Sequence, residues 1–188
     1  MTLLTFRDKT ISTQRPRRDA TVVDTIIIHA MSEYLTIEGR TVFCLDFLNE
    51  IQIGAHYFIA PDGLVISGVR PDFRTPHVGK SKYQGREWLN ETSIGIEFLV
   101  PGINTYGEFL TKIRSTTPEP FTHEQYQAGG ELIARLKKQF PSIGPRFIGH
   151  DTVSGDSVRG KGRGKKDPGK NFDWLKLARV IDLGEDDS

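Results

Sequence analysis

The chain has 188 residues, with 25 Lys+Arg against 24 Asp+Glu for a formal net charge of +1, and 37% of its residues are hydrophobic. This is one domain's worth of chain, long enough to hide roughly 70% of its unfolded surface without staples, and its balanced charge argues against a globally basic nucleic-acid binder. The lone Cys44 excludes an internal disulfide framework and any zinc module built on paired cysteines.

No apolar run approaches the ~20 residues needed to span a bilayer. The N-terminus carries charges where a signal peptide would place its apolar stretch. The expected compartment is the cytoplasm, which suits a reduced Cys44. Residues 1–20 are polar and arginine-bearing, and read as an arm laid over the surface. The run Thr25-Ile26-Ile27-Ile28-His29 has the pattern of a strand buried on both faces. Residues 41–51 predict a short helix with Phe43, Phe47, Leu48 and Ile51 on one side. Ala55–Ala60 and Leu64–Gly68 flank Pro61-Asp62-Gly63, a turn sequence that predicts a hairpin. Ser93–Leu99 alternates Ile94, Ile96 and Phe98 against Ser93, Gly95 and Glu97, which predicts another strand.

Residues 100–121 hold three prolines, two glycines and little periodicity, and read as a long surface loop. Thr122, with Gln125 three residues on, predicts a capping box opening a helix that Pro141 stops. Arg146–His150 reads as a last short strand, 155–170 as a glycine- and lysine-rich loop, and Phe172–Ile181 as a closing helix. The tail 185–188 is acidic. Strands and helices alternate irregularly around one sheet, so the expected fold is a single α/β domain with a mixed central sheet flanked by helices.

Histidines at strand ends are where chemistry is sought first. His29 ends the first strand and His150 ends the RFIGH strand, with Asp167 seventeen residues further on in Lys165-Lys166-Asp167-Pro168. Two imidazoles and a carboxylate, with a fourth position left for water, are the ligand count of a catalytic zinc site. Taken alone, a strand-end histidine is more often a surface or hydrogen-bonded residue. Glu97 alone reads equally well as a solvated carboxylate on a strand's polar face. The stretch Arg159–Lys170 has six basic residues and no aromatic, so it reads as a mobile loop attracting an anionic substrate rather than a nucleic-acid site.

The motifs around these residues occur in a telling order: IIIHAMS, IGAHYFIAPDG, TPHVGKSKYQG, NETSIGIEF, PFTHEQYQA, FIGHDTV and KKDPG. Together they resemble the type-2 N-acetylmuramoyl-L-alanine amidase family, whose fold is shared with peptidoglycan recognition proteins, over roughly residues 23–180. The resemblance implies a zinc cleft on one face of the sheet, in a domain covering 21–184. It implies one Zn²⁺ held by His29, His150 and Asp167, Glu97 as general base, Lys165 as transition-state stabiliser, and His56 and His77 lining or supporting the cleft as substrate-binding candidates. The phage-lysozyme branch has a tyrosine where this chain has Ala55, and Tyr57 should point to the opposite face. With Asp167 as third ligand, this favours the cytoplasmic branch that recycles anhydro-muropeptides. His29 is followed by Ala30, where a polar residue is often found. The implied partner is peptidoglycan or a muropeptide, acted on by a monomer, with no nucleic acid and no membrane span. Two other readings stand beside it: a wall-lytic amidase, either secreted or of phage type and released without a signal, and a non-catalytic peptidoglycan-binding receptor, in which the zinc ligands are typically lost.

Overall fold

The computed structural model describes residues 4–9, 13–115, 117, 119–145 and 147–186. Its elements run β1 (Phe6–Asp8), β2 (Thr25–Ile37), β3 (Arg40–Phe43), α1 (Cys44–Glu50), β4 (Tyr57–Ile59), β5 (Val65–Ser67), β6 (Lys82–Tyr83), β7 (Arg86–Glu87), β8 (Ser93–Asn104), α2 (Tyr106–Arg114), α3 (His123–Gln139), β9 (Phe147–Gly149), α4 (His150–Ser154), α5 (Asp156–Arg159) and α6 (Trp174–Asp186). One mixed sheet has the order β1-β5-β4-β8-β2-β3, and β9 also joins β2. β8 lies parallel to both β2 and β4, while β4 and β5 form the antiparallel hairpin that Pro61-Asp62-Gly63 predicts. The α/β class expected from the sequence is the class observed.

Side chains alternate across a strand, and here the two faces differ in kind. Ile26 and Ile28 of β2, Ile94, Ile96 and Phe98 of β8, and Tyr57 and Ile59 of β4 pack with Leu132, Ile133 and Leu136 of α3 and Leu177 of α6. Each such aliphatic side chain contributes roughly 1.5–3 kcal/mol on burial. The other face is split. Ile27, Val78, Leu89 and Val153 form one apolar cluster, and Phe58 and Leu99 join Cys44, Leu45 and Leu48 of α1 in another. Along β2, His29 falls between Ile27 of the first cluster and Met31 of the second. The polar site therefore sits in a gap between two apolar supports.

Helix α3 starts where its sequence says. The Thr122 hydroxyl accepts from the Gln125 N–H, and the Gln125 side-chain oxygen accepts from the Thr122 N–H. The Gln125 amide also donates to the carbonyls of Ile59 and Leu99, at 2.8 and 2.9 Å, tying the helix start to the sheet.

Several expectations need correction. The strand expected to end at His29 runs on to Ile37, and β8 runs to Asn104, because the two continue to pair as far as Leu35 and Asn104. His29 is thus a mid-strand residue. His150 opens α4 rather than ending a strand, and Arg146 lies outside the described residues. Residues 100–121 are not one loop. They hold the end of β8 and then α2, which is opened by a Thr105–Glu108 capping box and buries Phe109 and Ile113. Helix α1 begins later than expected and buries Cys44, Leu45 and Leu48, whereas Ile51 is exposed. The glycine- and lysine-rich loop carries the short helix α5, and α6 extends past Ile181.

The first twenty residues are more than a surface arm. β1 adds a parallel strand beside β5, and Arg18 is buried. Residues 1–3 and 10–12 of that arm, and Asp187 and Ser188 of the acidic tail, lie outside the described residues.

Candidate metal centre

Three elements bring His29, His150 and Asp167 together. β2 carries His29, the first turn of α4 carries His150, and the loop before α6 carries Asp167. His150 Nδ1 lies 2.9 Å from His29 Nδ1 and 2.9 Å from Asp167 Oδ2, and His29 Nδ1 lies 3.5 Å from Asp167 Oδ2. A tetrahedral zinc with bonds of about 2.0–2.1 Å separates its ligand atoms by roughly 3.3 Å. The three separations bracket that spacing, two shorter and one longer. The loop is strapped to α4 by two backbone bonds, from Asp151 N–H to the Asp167 carbonyl at 2.8 Å and from Lys165 N–H to the Ser154 carbonyl at 2.9 Å.

The hydrogen bonds on the far side of each ring decide which nitrogen is free. His150 Nε2 donates to the Val78 carbonyl at 3.2 Å, so its Nδ1 carries a lone pair. His29 Nε2 meets His77 Nδ1 at 3.0 Å, and His77 Nε2 meets Ser93 Oγ at 3.1 Å. The Ser93 hydroxyl donates to the Leu89 carbonyl at 2.5 Å. It must then accept from His77, and His77 must accept from His29. Both Nδ1 lone pairs consequently face each other and a carboxylate in a buried site. Burial and the neighbouring His150 push His29 down to about 4, so it is a neutral imidazole near pH 7. Three electron-pair donors converging without a proton among them suit a divalent cation.

Glu97 is the register partner of His29 on the parallel strand β8, so both side chains leave the same face of the sheet. It is buried, and its Oε2 has no hydrogen-bond partner. Burial and the Asp167 charge hold its carboxyl well above the usual range, opposed by Lys165. Lys165 is exposed, yet its charge acts on both Glu97 and His29. The structure thus gathers all five of these residues. Beside them is a cleft of about 470 Å³ lined by Arg114, Lys165, Lys166 and Lys170 with Asp151 and Asp156. Lys166 forms an ion pair there with Asp156 at 3.0 Å.

The ring nitrogens of His56 and His77 are engaged within the protein, which favours the supporting role over the lining role among those the resemblance implies. His56 Nδ1 accepts from the Gly95 N–H at 2.9 Å, so its Nε2 donates to the Phe73 carbonyl at 3.0 Å. Both nitrogens of His77 are likewise engaged within the protein. Neither ring has a nitrogen to offer a substrate. Arg18 Nη2 lies 3.2 Å from His56 Nε2, and the guanidinium donates to the carbonyls of Pro71, Asn90 and Glu91. Burial, then the Arg18 charge, push His56 down to about 3. Nothing in the sequence distinguishes Arg18 from its neighbours Arg15 and Arg17. Tyr57 points away, into the main core, as alternation from His56 predicts.

Residues 18–170 match the N-acetylmuramoyl-L-alanine amidase family. The 1,6-anhydro-N-acetylmuramyl-L-alanine amidase AmpD of Escherichia coli (strain K12) is 32% identical over 131 residues, covering 70% of this chain and 60% of that protein. The AmpD of Salmonella typhimurium (strain SL1344) is 31% identical over 133 residues, covering 71% of this chain and 59% of that protein. The chain therefore spans about three fifths of the length of these relatives. A crystal structure of a selenomethionine AmpD superposes with a TM-score of 0.68 at 24% identity, covering 96% of each chain. AmpDh3 from Pseudomonas aeruginosa, solved in complex with an anhydromuramic pentapeptide, gives 0.59 at 23% identity, covering 90% of this chain and 64% of that one. These structures share the fold. With the match running from Arg18 to Lys170 and enclosing the whole centre, this chain belongs to the N-acetylmuramoyl-L-alanine amidase family.

Proposed function

We propose that this protein hydrolyses the lactyl amide between N-acetylmuramic acid and L-alanine, using one zinc ion held by His29 Nδ1, His150 Nδ1 and Asp167 Oδ2. The observation that carries the reading is the convergence of those three donors beside a buried carboxyl with an unpartnered oxygen. When bound, zinc supplies Lewis-acid chemistry that polarises the amide carbonyl and acidifies water. Glu97 Oε2 takes a proton from the attacking water and returns it to the departing alanine nitrogen. Burial holds its pKa above the usual carboxylate range, the direction that favours carrying a proton through to the leaving nitrogen. Lys165 Nζ neutralises charge developing on the amide oxygen, a role worth roughly 3 kcal/mol for one well-aimed donor.

We assign soluble anhydro-muropeptides as the preferred substrates and the cytoplasm as the setting. Three observations favour this. The curated relatives are named as 1,6-anhydro-N-acetylmuramyl-L-alanine amidases. The cleft beside the centre has more cations than carboxylates, which suits a peptide bearing free carboxylates. Tyr57 is committed to the core and Ala55 has no hydroxyl, which disfavours tyrosine-assisted chemistry. Among the described residues no helix is long and apolar enough to cross a membrane. A non-catalytic receptor would have no use for the retained donor set.

The test is mass spectrometry of products from intact sacculi and from soluble anhydro-muropeptides, run side by side. Release of free stem peptide, faster from the soluble fragments, is expected. Equal or faster digestion of sacculi would remove the recycling assignment and leave the amidase chemistry. No release from either would remove both.

A further inference from the structure

We propose that His77 is a positioning residue that presets His29 for zinc, within a clamped His77-Val78 segment that orients both imidazole ligands at once. The inference rests on the reading of His29 and His150 as zinc ligands through Nδ1. Two consecutive residues reach the two rings by different means. The His77 side chain accepts from His29 Nε2–H at 3.0 Å, and the Val78 carbonyl accepts from His150 Nε2–H at 3.2 Å. A shift of this one segment would misalign both ligands together.

The segment is held from three sides. The Asn90 side-chain oxygen accepts from the backbone N–H groups of His77 and Val78, at 3.1 and 3.0 Å. Ser93 accepts from His77 Nε2–H and passes its own proton to the Leu89 carbonyl. Gly95 supplies the third support by what it lacks. A Cβ at Gly95 would stand 2.5 Å from His77 Nδ1, so any side chain there would displace the ring. The Gly95 N–H meanwhile holds His56, whose ring packs edge-on to His77 with centroids 5.4 Å apart.

The relay has a direction, and the direction matters to the metal. The Leu89 carbonyl can only accept, so Ser93 donates to it and accepts from His77. His77 Nδ1 is left as an acceptor, and His29 must place its proton on Nε2. Were His77 reversed, His29 would be driven to carry its proton on Nδ1, where the ligand lone pair is needed. His77 and Ser93 are 7% and 0% exposed, so water does not compete for these bonds. Hydrogen-bonded partners of ligating histidines fix tautomer and ring orientation in this way, and their loss typically costs 10–100-fold in metal affinity.

The experiment is zinc affinity by chelator competition on the full chain, with thermal melts of each metal-free variant and visible spectra of the cobalt-substituted forms. His77→Leu should bind zinc about 10–100-fold more weakly and alter the cobalt bands. His77→Gln, whose amide can accept from His29 and donate to Ser93, should restore affinity to within about threefold. Ser93→Ala should lose a smaller factor and decides the matter if His77→Leu does not fold. Wild-type affinity in His77→Leu, or in Ser93→Ala where His77→Leu does not fold, overturns the relay. Equal losses in the Leu and Gln variants overturn it too, by showing that packing alone is at stake. His29→Ala is the separate control. Zinc retained there overturns the ligand reading, whereas zinc lost there with His77→Leu unaffected removes only the relay.

Discussion

His29 and Glu97 stand opposite each other on the parallel strands β2 and β8 and project from the same face of the sheet. One belongs to a converging set of metal donors, and the other leaves a carboxylate oxygen buried without a partner. Buried polar atoms that serve only structure are nearly always hydrogen-bonded. Thr92 Oγ1 and Asn171 Oδ1 are unpartnered as well, and what sets Glu97 Oε2 apart is its place across from His29 of the candidate metal centre, where a proton or a substrate can supply the partner. Glutamine keeps the size of Glu97 but cannot take the proton. Glu97→Gln should retain zinc and fold while losing roughly 10²–10⁴-fold in kcat, the usual scale of general acid–base catalysis. Zinc content and turnover, measured on the same preparation, check this. Near-normal turnover with full zinc would make Glu97 a structural residue, and His56 and His77 are poor replacements because their nitrogens are engaged.

The donor set makes a different demand. Removing any one of His29, His150 or Asp167 leaves two ligands, too few to hold zinc tightly. Each alanine variant should lose metal and activity together. His123 begins α3 and lines a separate cleft with Asp62 and Glu131, so His123→Ala should keep both. A His150→Ala protein that still carries one zinc after dialysis against a weak chelator would count against the assignment.

Lys165 is held in place by its backbone bond to Ser154, which a side-chain change leaves intact. Lys165→Ala should therefore keep the loop, Asp167 and zinc. It should lose transition-state stabilisation, lowering kcat and kcat/KM by similar factors of roughly 10²–10³. A rise in KM alone would assign the ammonium to ground-state binding instead.

The local signals in the sequence were of unequal reach. Thr122 with Gln125, Pro61-Asp62-Gly63 and the alternation through Ile94, Ile96 and Phe98 each act over a few residues, and each appears in the structure as expected. The helix α2 was equally local. Its Thr105–Glu108 box repeats the logic of Thr122 and Gln125, and Tyr106, Phe109, Leu110 and Ile113 fall at helical spacing. The prolines and glycines scattered through 100–121 masked that period. The relay from His29 through His77 and Ser93 is another matter. Its members are brought together by the pairing of strands far apart in sequence, and no spacing announces it. Arg18 is the same kind of case, since only the fold carries it to the carbonyls of Pro71, Asn90 and Glu91.

Arg18 and His56 make the pH dependence of stability testable. Burial lowers Arg18 to about 10, so it remains charged at neutral pH. Its guanidinium lies 3.2 Å from His56 Nε2, and a second positive charge there is strongly disfavoured. Burial first, and then this charge, depress His56 from 6.5 to about 3 in the folded protein. The sign follows from proton uptake. As pH falls below 6.5 the unfolded chain protonates His56 first, so the folded state loses stability progressively until its own value near 3 is reached. One such group contributes a slope of about 1.4 kcal/mol per pH unit within that window. His29 and His77 are depressed in the same direction and steepen the profile. Urea unfolding of the metal-free protein between pH 7 and pH 4.5 should show this loss. In His56→Asn, whose side-chain oxygen can still accept from the Gly95 N–H, the slope should fall by about one proton's worth. Identical slopes in the two proteins would show that His56 is already charged in the fold or stays neutral when unfolded, and either result would contradict the burial of this ring against Arg18.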